Sequence, residues 1–250
     1  MTIYVSKVYN CITMTPENIN FITLKKNNFY LKSDEKYFSL LQNAVSNIDA
    51  LLENESNLFY KNDKGDTTTI AVVKIGDREF VVKRYNIKNF WHFIKNCFRK
   101  SYAEKALFNI NVLWNLKIST FTPVAIIEKY IGSFKGKSYL ITEYVKNGIR
   151  GCDYFAKDEK PKPEWDQVVK NIGEIAKKLK KAFIEHRDFQ YGNILIVDKT
   201  ALLHDVEHMK YYVCNSDKFQ KAFQKDIDHF LDFVKSNPAA YEMFKDEFKK

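Results

Sequence analysis

The sequence predicts a two-lobed α+β fold, with a small β-rich N-lobe and a mainly helical C-lobe. Three β-favouring runs between Leu58 and Tyr85 are joined by tight-turn sequences, which indicates an antiparallel meander. Apolar residues between Glu164 and Phe183 instead recur at helical spacing, with lysines mostly on the opposite side. At Lys146-Asn147-Gly148 the strands give way to a polar stretch and then to a helix. We therefore expect an N-lobe of residues 1–145 and a C-lobe of residues 146–250.

The N-lobe elements follow from short β-favouring runs and two helical segments, after an N-terminal extension of residues 1–33. Apolar residues between Asp34 and Glu53 have helical spacing, and Ser33 is the expected cap. Phe90–Leu116 is helical in composition and stops before Pro123. The runs Ile19–Leu24 and Asn28–Leu31 indicate strands or an extended arm. The predicted strands of the sheet are Leu58–Tyr60, Thr67–Ile75, Glu79–Tyr85, Ile126–Tyr130 and Ser138–Val145.

The C-lobe elements are fewer and longer. The amphipathic segment Glu164–Phe183 predicts a helix, and a second helix is expected where Phe219, Ile227 and Val234 mark an apolar face. Between them, the short apolar runs Ile194–Val197 and Ala201–Leu203 predict a β-hairpin.

Composition and charge narrow the class of protein. The 250 residues are 45% hydrophobic and 28% charged, as in an ordinary soluble domain, and the net charge of +9 favours anionic partners. The longest stretch without charged residues or histidine, Tyr37–Ile48, is shorter than the ~20 residues of a membrane-spanning helix. The start of the chain lacks a signal-peptide pattern, and Cys11, Cys97, Cys152 and Cys214 form no Cys-x-x-Cys pair. We expect a cytoplasmic protein with buried, reduced thiols.

Three polar residues flank the predicted hairpin. Asp188 and Asn193 are five residues apart on one loop, and Asp205 follows Asn193 by 12 residues. An Asp that accepts a hydroxyl proton, with an Asn and a second Asp that hold Mg2+, is the set that kinases use for phosphoryl transfer from ATP. We therefore expect Asp188 to be catalytic and Asn193 and Asp205 to be metal ligands. The alternative is a polar turn between a helix and a strand.

A kinase fold also requires a lysine on a strand of the first lobe and an acid on a helix behind it. Val81-Val82-Lys83 supplies the lysine, and the period of two places Val81 and Lys83 on the same side of the strand. Glu104 is the only carboxylate between Arg84 and Ile127, so we expect Glu104 to pair with Lys83. The alternative is a solvated surface ion pair.

Two further nucleotide contacts are assigned by position. The strand that ends near Val145 would present the peptide groups of Glu143 and Val145 to adenine. The phosphate-covering loop falls within Asn62–Thr69, which contains a single glycine, Gly65, where kinases have three. Backbone amides and threonine hydroxyls would then hold the phosphates.

Taken in order, these motifs resemble the bacterial lipopolysaccharide core kinases, which are kinase-like enzymes that phosphorylate heptose or Kdo. The resemblance spans Asn57 to Lys235. It implies ATP- and Mg2+-dependent phosphorylation of a sugar hydroxyl on the lipopolysaccharide core oligosaccharide, or on a lipid-linked sugar, at the cytoplasmic face of the inner membrane. The matching segments are Val81–Tyr85, Arg99–Glu104, Phe121–Pro123, Tyr139–Glu143, His186–Phe189 and Leu203–Met209.

The chain departs from the family pattern at two positions. Gln190 stands two residues after Asp188, where the family usually has a basic residue that helps the migrating phosphate. Glu207 replaces the family's second Asp after the metal-binding Asp205, and its role is left open between a metal ligand and a structural partner.

The segment between Lys83 and Lys105 carries seven basic residues, one acid and several aromatic residues. Such a segment can lie on an anionic membrane surface, and the alternative is a solvated face with an ordinary core stripe. We expect no nucleic-acid binding, because no recognition-helix, RNA-binding or zinc-finger signature is present.

We expect His186 to orient the loop and assign no role to His92 or His229. Three alternatives stay open: a kinase for another small molecule or for protein, a catalytically silent kinase-like scaffold, and a basic membrane or nucleic-acid binding module.

Overall fold

The computed structural model describes residues 19–26, 28–54, 57, 60–62, 68–87, 89–96, 98–157 and 159–250. The chain divides into two units. The sheet unit contains the described residues up to 110 and residues 121–145, and the helical unit contains residues 111–120 and 146–250. Residues 111–120, which the sequence analysis assigned to the N-lobe, thus belong to the helical unit.

The sheet unit is built on one antiparallel sheet of seven strands in the order β1-β2-β6-β7-β5-β4-β3. The predicted meander forms β3, β4 and β5, and Gly76, at φ +61°, makes the tight turn between the last two. The strands are β1 (Phe21–Lys26), β2 (Phe29–Asp34), β3 (Tyr60–Asn62), β4 (Thr68–Ile75), β5 (Arg78–Tyr85), β6 (Pro123–Ile131) and β7 (Phe134–Glu143).

The helix predicted between Asp34 and Glu53 is present but divided. It consists of α1 (Glu35–Ala44), a 3-10 turn (Val45–Asn47) and α2 (Ile48–Leu52). The prediction that Ser33 caps the helix is wrong. The cap is Asp34, whose carboxylate accepts a hydrogen bond from the main-chain N–H of Lys36 at 3.1 Å. The apolar faces of both helices lie in one buried cluster with sheet residues that include Phe80 and Val82.

The prediction of a single helix over Phe90–Leu116 is also wrong, because the structure has two helices in this segment. They are α3 (Phe90–Asn96) and α4 (Tyr102–Asn115). Ser101 starts the second helix with a reciprocal capping box: Glu104 Oε2 accepts the Ser101 N–H at 3.0 Å, and Ser101 Oγ accepts the Glu104 N–H at 3.1 Å.

The helical unit contains the predicted long helices and the predicted hairpin. An additional C-terminal helix, capped by Asn237, was not predicted. The elements are β8 (Ile149–Arg150), α5 (Gly151–Tyr154), α6 (Trp165–Lys181), β9 (Ile184–Glu185), β10 (Ile194–Val197), β11 (Thr200–Leu203), β12 (Lys210–Tyr211), α7 (Asp217–Val234) and α8 (Pro238–Lys249).

A chain of aromatic contacts forms the core of the helical unit. Trp165 packs edge-on against Phe155 at 4.8 Å between ring centres, and Phe155 contacts Phe244 at 5.2 Å. Phe230 continues the chain, with ring centres 4.8 Å from Phe244 and 5.2 Å from Phe189. Because Phe189 directly follows Asp188, this core anchors the loop that carries the predicted catalytic residue.

The cysteines differ in part from expectation. Cys214 is exposed and Cys152 is half-buried, and both are free thiols. The prediction of buried thiols is therefore wrong for Cys214. Cys11 and Cys97 lie outside the described residues.

Candidate active site

The predicted catalytic loop connects β9 to β10, and its side chains hold one another. Asn193 Nδ2 donates to Asp188 Oδ2 at 2.8 Å and to the Asp188 carbonyl at 2.9 Å. Gln190 Nε2 donates to Asp188 Oδ1 at 2.9 Å. The structure therefore brings Asp188 and Asn193 together, and both oxygens of the Asp188 carboxylate receive donors from its own loop.

The backbone of this loop is fixed by a buried acid on α7. Asp226 accepts the His186 N–H at 2.7 Å and the Arg187 N–H at 3.0 and 3.1 Å. Burial raises the pKa of Asp226, and the hydrogen bonds from the two main-chain N–H groups oppose that effect. Sequence reasoning missed Asp226, although a single Asp on the apolar face of a predicted helix, one residue before Ile227, was an available signal.

Two residues that flank the site have left-handed backbone conformations. Arg187 has φ +75° and Asp205 has φ +63°. Non-glycine residues in this region are strained and persist where the surrounding contacts fix them. At Arg187 the contact is the hydrogen bond to Asp226.

His186 supports the loop from inside. Its side chain is fully buried, and Nε2 lies 3.2 Å from the His204 carbonyl oxygen. Burial lowers the pKa of His186, so the ring is neutral at neutral pH. This position suits the predicted orienting role, because the ring links the catalytic loop to the residue before Asp205.

The two predicted metal ligands lie at the same end of the β10–β11 hairpin. The His204 N–H donates to the Asn193 carbonyl at 3.0 Å, so Asp205 follows directly on the residue opposite Asn193. Because Nδ2 of Asn193 is bound to Asp188, the amide oxygen is the atom that Asn193 can offer to a cation.

The side-chain oxygen atoms of these two predicted ligands are of the kind that Mg2+ prefers. Within the part of the chain that the structure describes, no group of three or more His, Cys, Asp or Glu side chains could hold a metal by itself. Mg2+ prefers oxygen and in phosphoryl-transfer sites is held by one or two side chains together with substrate phosphates. Glu207, whose role was left open, is buried in the 3-10 turn Val206–His208.

In the sheet unit, Lys83 lies in the middle of β5, opposite Ile70 of β4 and Leu140 of β7. Its Nζ is 5.2 Å from the centre of the Tyr85 ring, and the Tyr85 ring stacks on Tyr102 of α4. Val82 lies in the buried cluster beneath α1 and α2, whereas Val81 and Lys83 are half-buried. The period of two therefore places Lys83 as predicted.

The cation that contacts the Glu104 carboxylate in the described part of the chain is Lys135, whereas Lys83 was the expected partner. Lys135 Nζ donates to Glu104 Oε2 at 2.8 Å and to Glu128 Oε1 at 3.1 Å. Burial by itself would raise the pKa of Glu104, but the hydrogen bonds from Lys135 and Ser101 outweigh it and lower the pKa. Lys135 could not be predicted as a partner of Glu104, because it lies in β7 and only the folded sheet brings it to α4.

Glu143 ends β7 at the predicted adenine-binding position. Its main-chain N–H donates to the Thr122 carbonyl at 3.0 Å, and its Oε1 accepts the Tyr37 hydroxyl at 2.6 Å. The adenine contacts expected of the peptide groups of Glu143 and Val145 stay a prediction. In the predicted phosphate-covering loop, residues 63–67, including Gly65, lie outside the described residues.

A surface of aromatic and basic side chains surrounds α3. We call Phe90, Trp91, Ile94, Phe98, Ile131 and Phe134 the aromatic patch. Trp91 is 77% exposed and Phe98 is 82% exposed, and the exposed residues Arg99 and Lys100 directly follow Phe98 in the chain. Phe98 packs against Phe134 of the β6–β7 hairpin at 5.7 Å between ring centres. Among the described residues, no helix has both the length and the apolar character that crossing a bilayer requires.

Comparisons with known proteins agree with these features. Residues 52–233 match the model of the lipopolysaccharide kinase (Kdo/WaaP) family. A solved structure described as WaaP in complex with acyl carrier protein is similar in fold, with a TM-score of 0.57 and 14% sequence identity. The alignment covers 87% of this chain and 92% of that one. No individually curated protein matches the chain.

Proposed function

Because the chain belongs to the lipopolysaccharide kinase (Kdo/WaaP) family, we propose that it transfers a phosphoryl group from ATP to a heptose or Kdo hydroxyl, with Asp188 as the catalytic residue. As a member of that family it is a phosphotransferase that acts on a sugar of the lipopolysaccharide core. The single observation that carries the residue assignment is the pair of hydrogen bonds from Asn193 to Asp188, at 2.8 and 2.9 Å. This geometry joins the proposed proton acceptor to a proposed metal ligand.

Asp188 would orient the acceptor hydroxyl and take its proton. Its side chain is 41% exposed, so a sugar can reach the carboxylate. Asn193 and Gln190 hold the two carboxylate oxygens, which limits rotation of the group. A fixed carboxylate within hydrogen-bond reach of a hydroxyl is the arrangement that general-base catalysis requires. Most of the rate enhancement then comes from positioning, as in other phosphoryl transfers.

Asn193 and Asp205 would hold Mg2+ through oxygen atoms, and the bound ion supplies neutralisation of the phosphate charge. Lys83 would fix the nucleotide phosphates, with Glu104 behind it on α4. The Glu143 carbonyl and Val145 would contact adenine. Support for Lys83 comes from its central position in β5, between β4 and β7.

The aromatic patch would bring the protein to the cytoplasmic face of the inner membrane, where a lipid-linked core sugar is found. Exposed aromatic rings beside Arg99 and Lys100 match a surface that inserts shallowly and is attracted to anionic headgroups. Each basic residue near such a surface contributes about 1 kcal/mol. Peripheral contact would thus concentrate the enzyme at its acceptor.

The test is phosphate transfer from γ-labelled ATP to purified core oligosaccharide, to free Kdo or heptose, and to a generic protein acceptor. We expect Mg2+-dependent labelling of the oligosaccharide alone. Asp205→Asn should abolish labelling in a folded protein, whereas the matched control Asp198→Asn, at the exposed tip of the same hairpin, should leave it unchanged. Labelling of protein alone would favour the protein-kinase alternative. ATP binding without consumption would favour the silent scaffold.

A further inference from the structure

The ring of His229, on α7, reaches the carboxylate that the proposed function makes catalytic. Nε2 lies 3.3 Å from Asp188 Oδ1. An ionised carboxylate only accepts hydrogen bonds, so in this contact the ring nitrogen carries the hydrogen and donates it. Nothing in the linear sequence relates His229 to Asp188, 41 residues earlier, so no role was expected for this histidine.

His229 differs in origin from the other donors to Asp188. Asn193 and Gln190 belong to the catalytic loop itself, so they move with it. Among the described residues that bond to the Asp188 carboxylate, His229 is the one that comes from another element. It therefore ties the side chain of Asp188 to a long helix.

The same helix already holds the backbone of the loop. Asp226, which binds the main-chain N–H groups of His186 and Arg187, precedes His229 by three residues and shares its helix face. The orientation of the His229 ring is set by Phe233, which packs against it edge-on at 4.8 Å between ring centres. One face of α7 thus supports both the main chain of the loop, at His186 and Arg187, and the side chain of Asp188.

We propose that His229 is a positioning residue that fixes Asp188 Oδ1 and directs Oδ2 to the acceptor hydroxyl. Each carboxylate oxygen accepts about two hydrogen bonds. Oδ1 accepts hydrogen bonds from Gln190 and His229. Among the described contacts, Oδ2 accepts one hydrogen bond, from Asn193. One acceptor direction of Oδ2 therefore remains for the sugar hydroxyl. The catalytic part of this inference rests on the proposed function, whereas the contact between His229 and Asp188 does not.

The kinetic test compares His229→Leu, which removes the donor, with His229→Gln, which keeps an N–H at a similar reach. His229→Leu should lower kcat by about tenfold, the upper range for one net hydrogen bond, with KM for ATP and the unfolding midpoint unchanged. His229→Gln should recover most of the rate. The matched control is Gln224→Leu, an exposed polar residue on the same helix that bonds to Asp228 and not to Asp188.

An activity-independent measurement uses the ring N–H of His229 in a 15N-labelled protein. We expect a His229 Nε2–H signal that exchanges slowly in the wild type and is lost in Asp188→Ala. An unchanged kcat in His229→Leu, or a loss that His229→Gln does not recover, overturns the positioning role. If the wild type phosphorylates no core sugar, the proposed function fails. The ring signal then decides the contact alone: an Asp188-dependent signal upholds it, and its absence overturns it.

Discussion

The carboxylate of Asp226 accepts the main-chain N–H of Arg187 through both of its oxygens, at 3.0 and 3.1 Å. Arg187 is the residue before Asp188, and its φ of +75° is strained for a side chain of its size. A buried acid on α7 thus fixes the backbone conformation that presents the proposed catalytic carboxylate. The conformation of the loop depends on a residue 38 positions after Asp188 in the sequence.

Asp226→Ala should therefore destabilise the protein and slow catalysis. The change leaves the buried N–H of His186 and the partly buried N–H of Arg187 without an acceptor, at a cost of about 3 kcal/mol. Urea denaturation measures the free energy of unfolding, and the transfer assay measures kcat. Asp228→Ala is the control, because Asp228 is exposed on the same helix and bonds only to Gln224 among the described contacts. Equal effects of the two variants would contradict this role for Asp226.

Asp49 connects α2 to the sheet and should make the stability of the sheet unit depend on pH. It accepts hydrogen bonds from Lys129 Nζ, Arg84 Nη1 and the Tyr139 hydroxyl, at 2.8, 2.7 and 2.8 Å. Burial would raise the pKa of Asp49, but these three donors outweigh it and hold the pKa well below its usual range. The carboxylate therefore stabilises the fold above its unfolded pKa of about 4, and the contribution disappears as the pH falls toward the folded pKa.

We expect Asp49→Asn to lower the free energy of unfolding by about 2 kcal/mol at pH 7, and by much less near pH 2 to 3. Chemical denaturation across this pH range provides the measurement. Asp153→Asn is the control, because Asp153 pairs with Arg150 at an exposed position of the helical unit. A difference between wild type and Asp49→Asn that stays constant with pH would rule out the ionic contribution.

We expect Lys83 to bind nucleotide and Lys135 to have a structural role. Lys135 bridges Glu104 and buried Glu128, so Lys135→Met should cost about 2 kcal/mol of stability. Lys83→Met should instead abolish phosphate transfer and leave the unfolding midpoint nearly unchanged. Thermal unfolding and nucleotide titration of both variants test this distinction. The opposite pattern, with nucleotide binding lost only in Lys135→Met, would transfer the phosphate-binding role to Lys135.

The aromatic patch should mediate binding to anionic vesicles. We expect the double substitution of Trp91 and Phe98 by serine to weaken binding to phosphatidylglycerol vesicles at least tenfold, because two large exposed rings lose their insertion. Binding should also weaken as salt rises, since Arg99 and Lys100 contribute by charge. Val213→Ser is the control, an exposed apolar residue of the helical unit. Unchanged vesicle binding by the double variant would exclude the patch.

Much of the fold follows from local sequence. The alternation and turn residues of the meander predicted β3 to β5, and the short apolar runs after Asn193 predicted the β10–β11 hairpin. The catalytic role of Asp188 stays a prediction. The division between α3 and α4 was also available, because Ser101 and Glu104 form a capping-box pattern that composition alone obscured. Asp226 could have been noticed as an acid on an apolar helix face.

Other features depend on tertiary contacts that the linear sequence does not encode locally. Lys135 reaches Glu104 only because the β6–β7 hairpin lies beside the start of α4, 31 residues away in sequence. A role for His229 can be inferred only once the contacts of Asp226 show which face of α7 lies against the loop. The cap of α1 is Asp34 and not the predicted Ser33. The two adjacent polar residues can both cap a helix, and strand β2 continues to Asp34.

The most direct test of the central claim is the position of phosphate on the product of Asp188-dependent transfer. Core oligosaccharide is incubated with ATP, Mg2+ and either wild-type protein or folded Asp188→Asn, and the product is examined by mass spectrometry and 31P NMR. We predict one added phosphate monoester on a heptose or Kdo hydroxyl with the wild type, and at least a hundredfold less with Asp188→Asn, as expected for loss of a general base. Equal product from the two proteins, or no sugar phosphate from the wild type, would contradict the account.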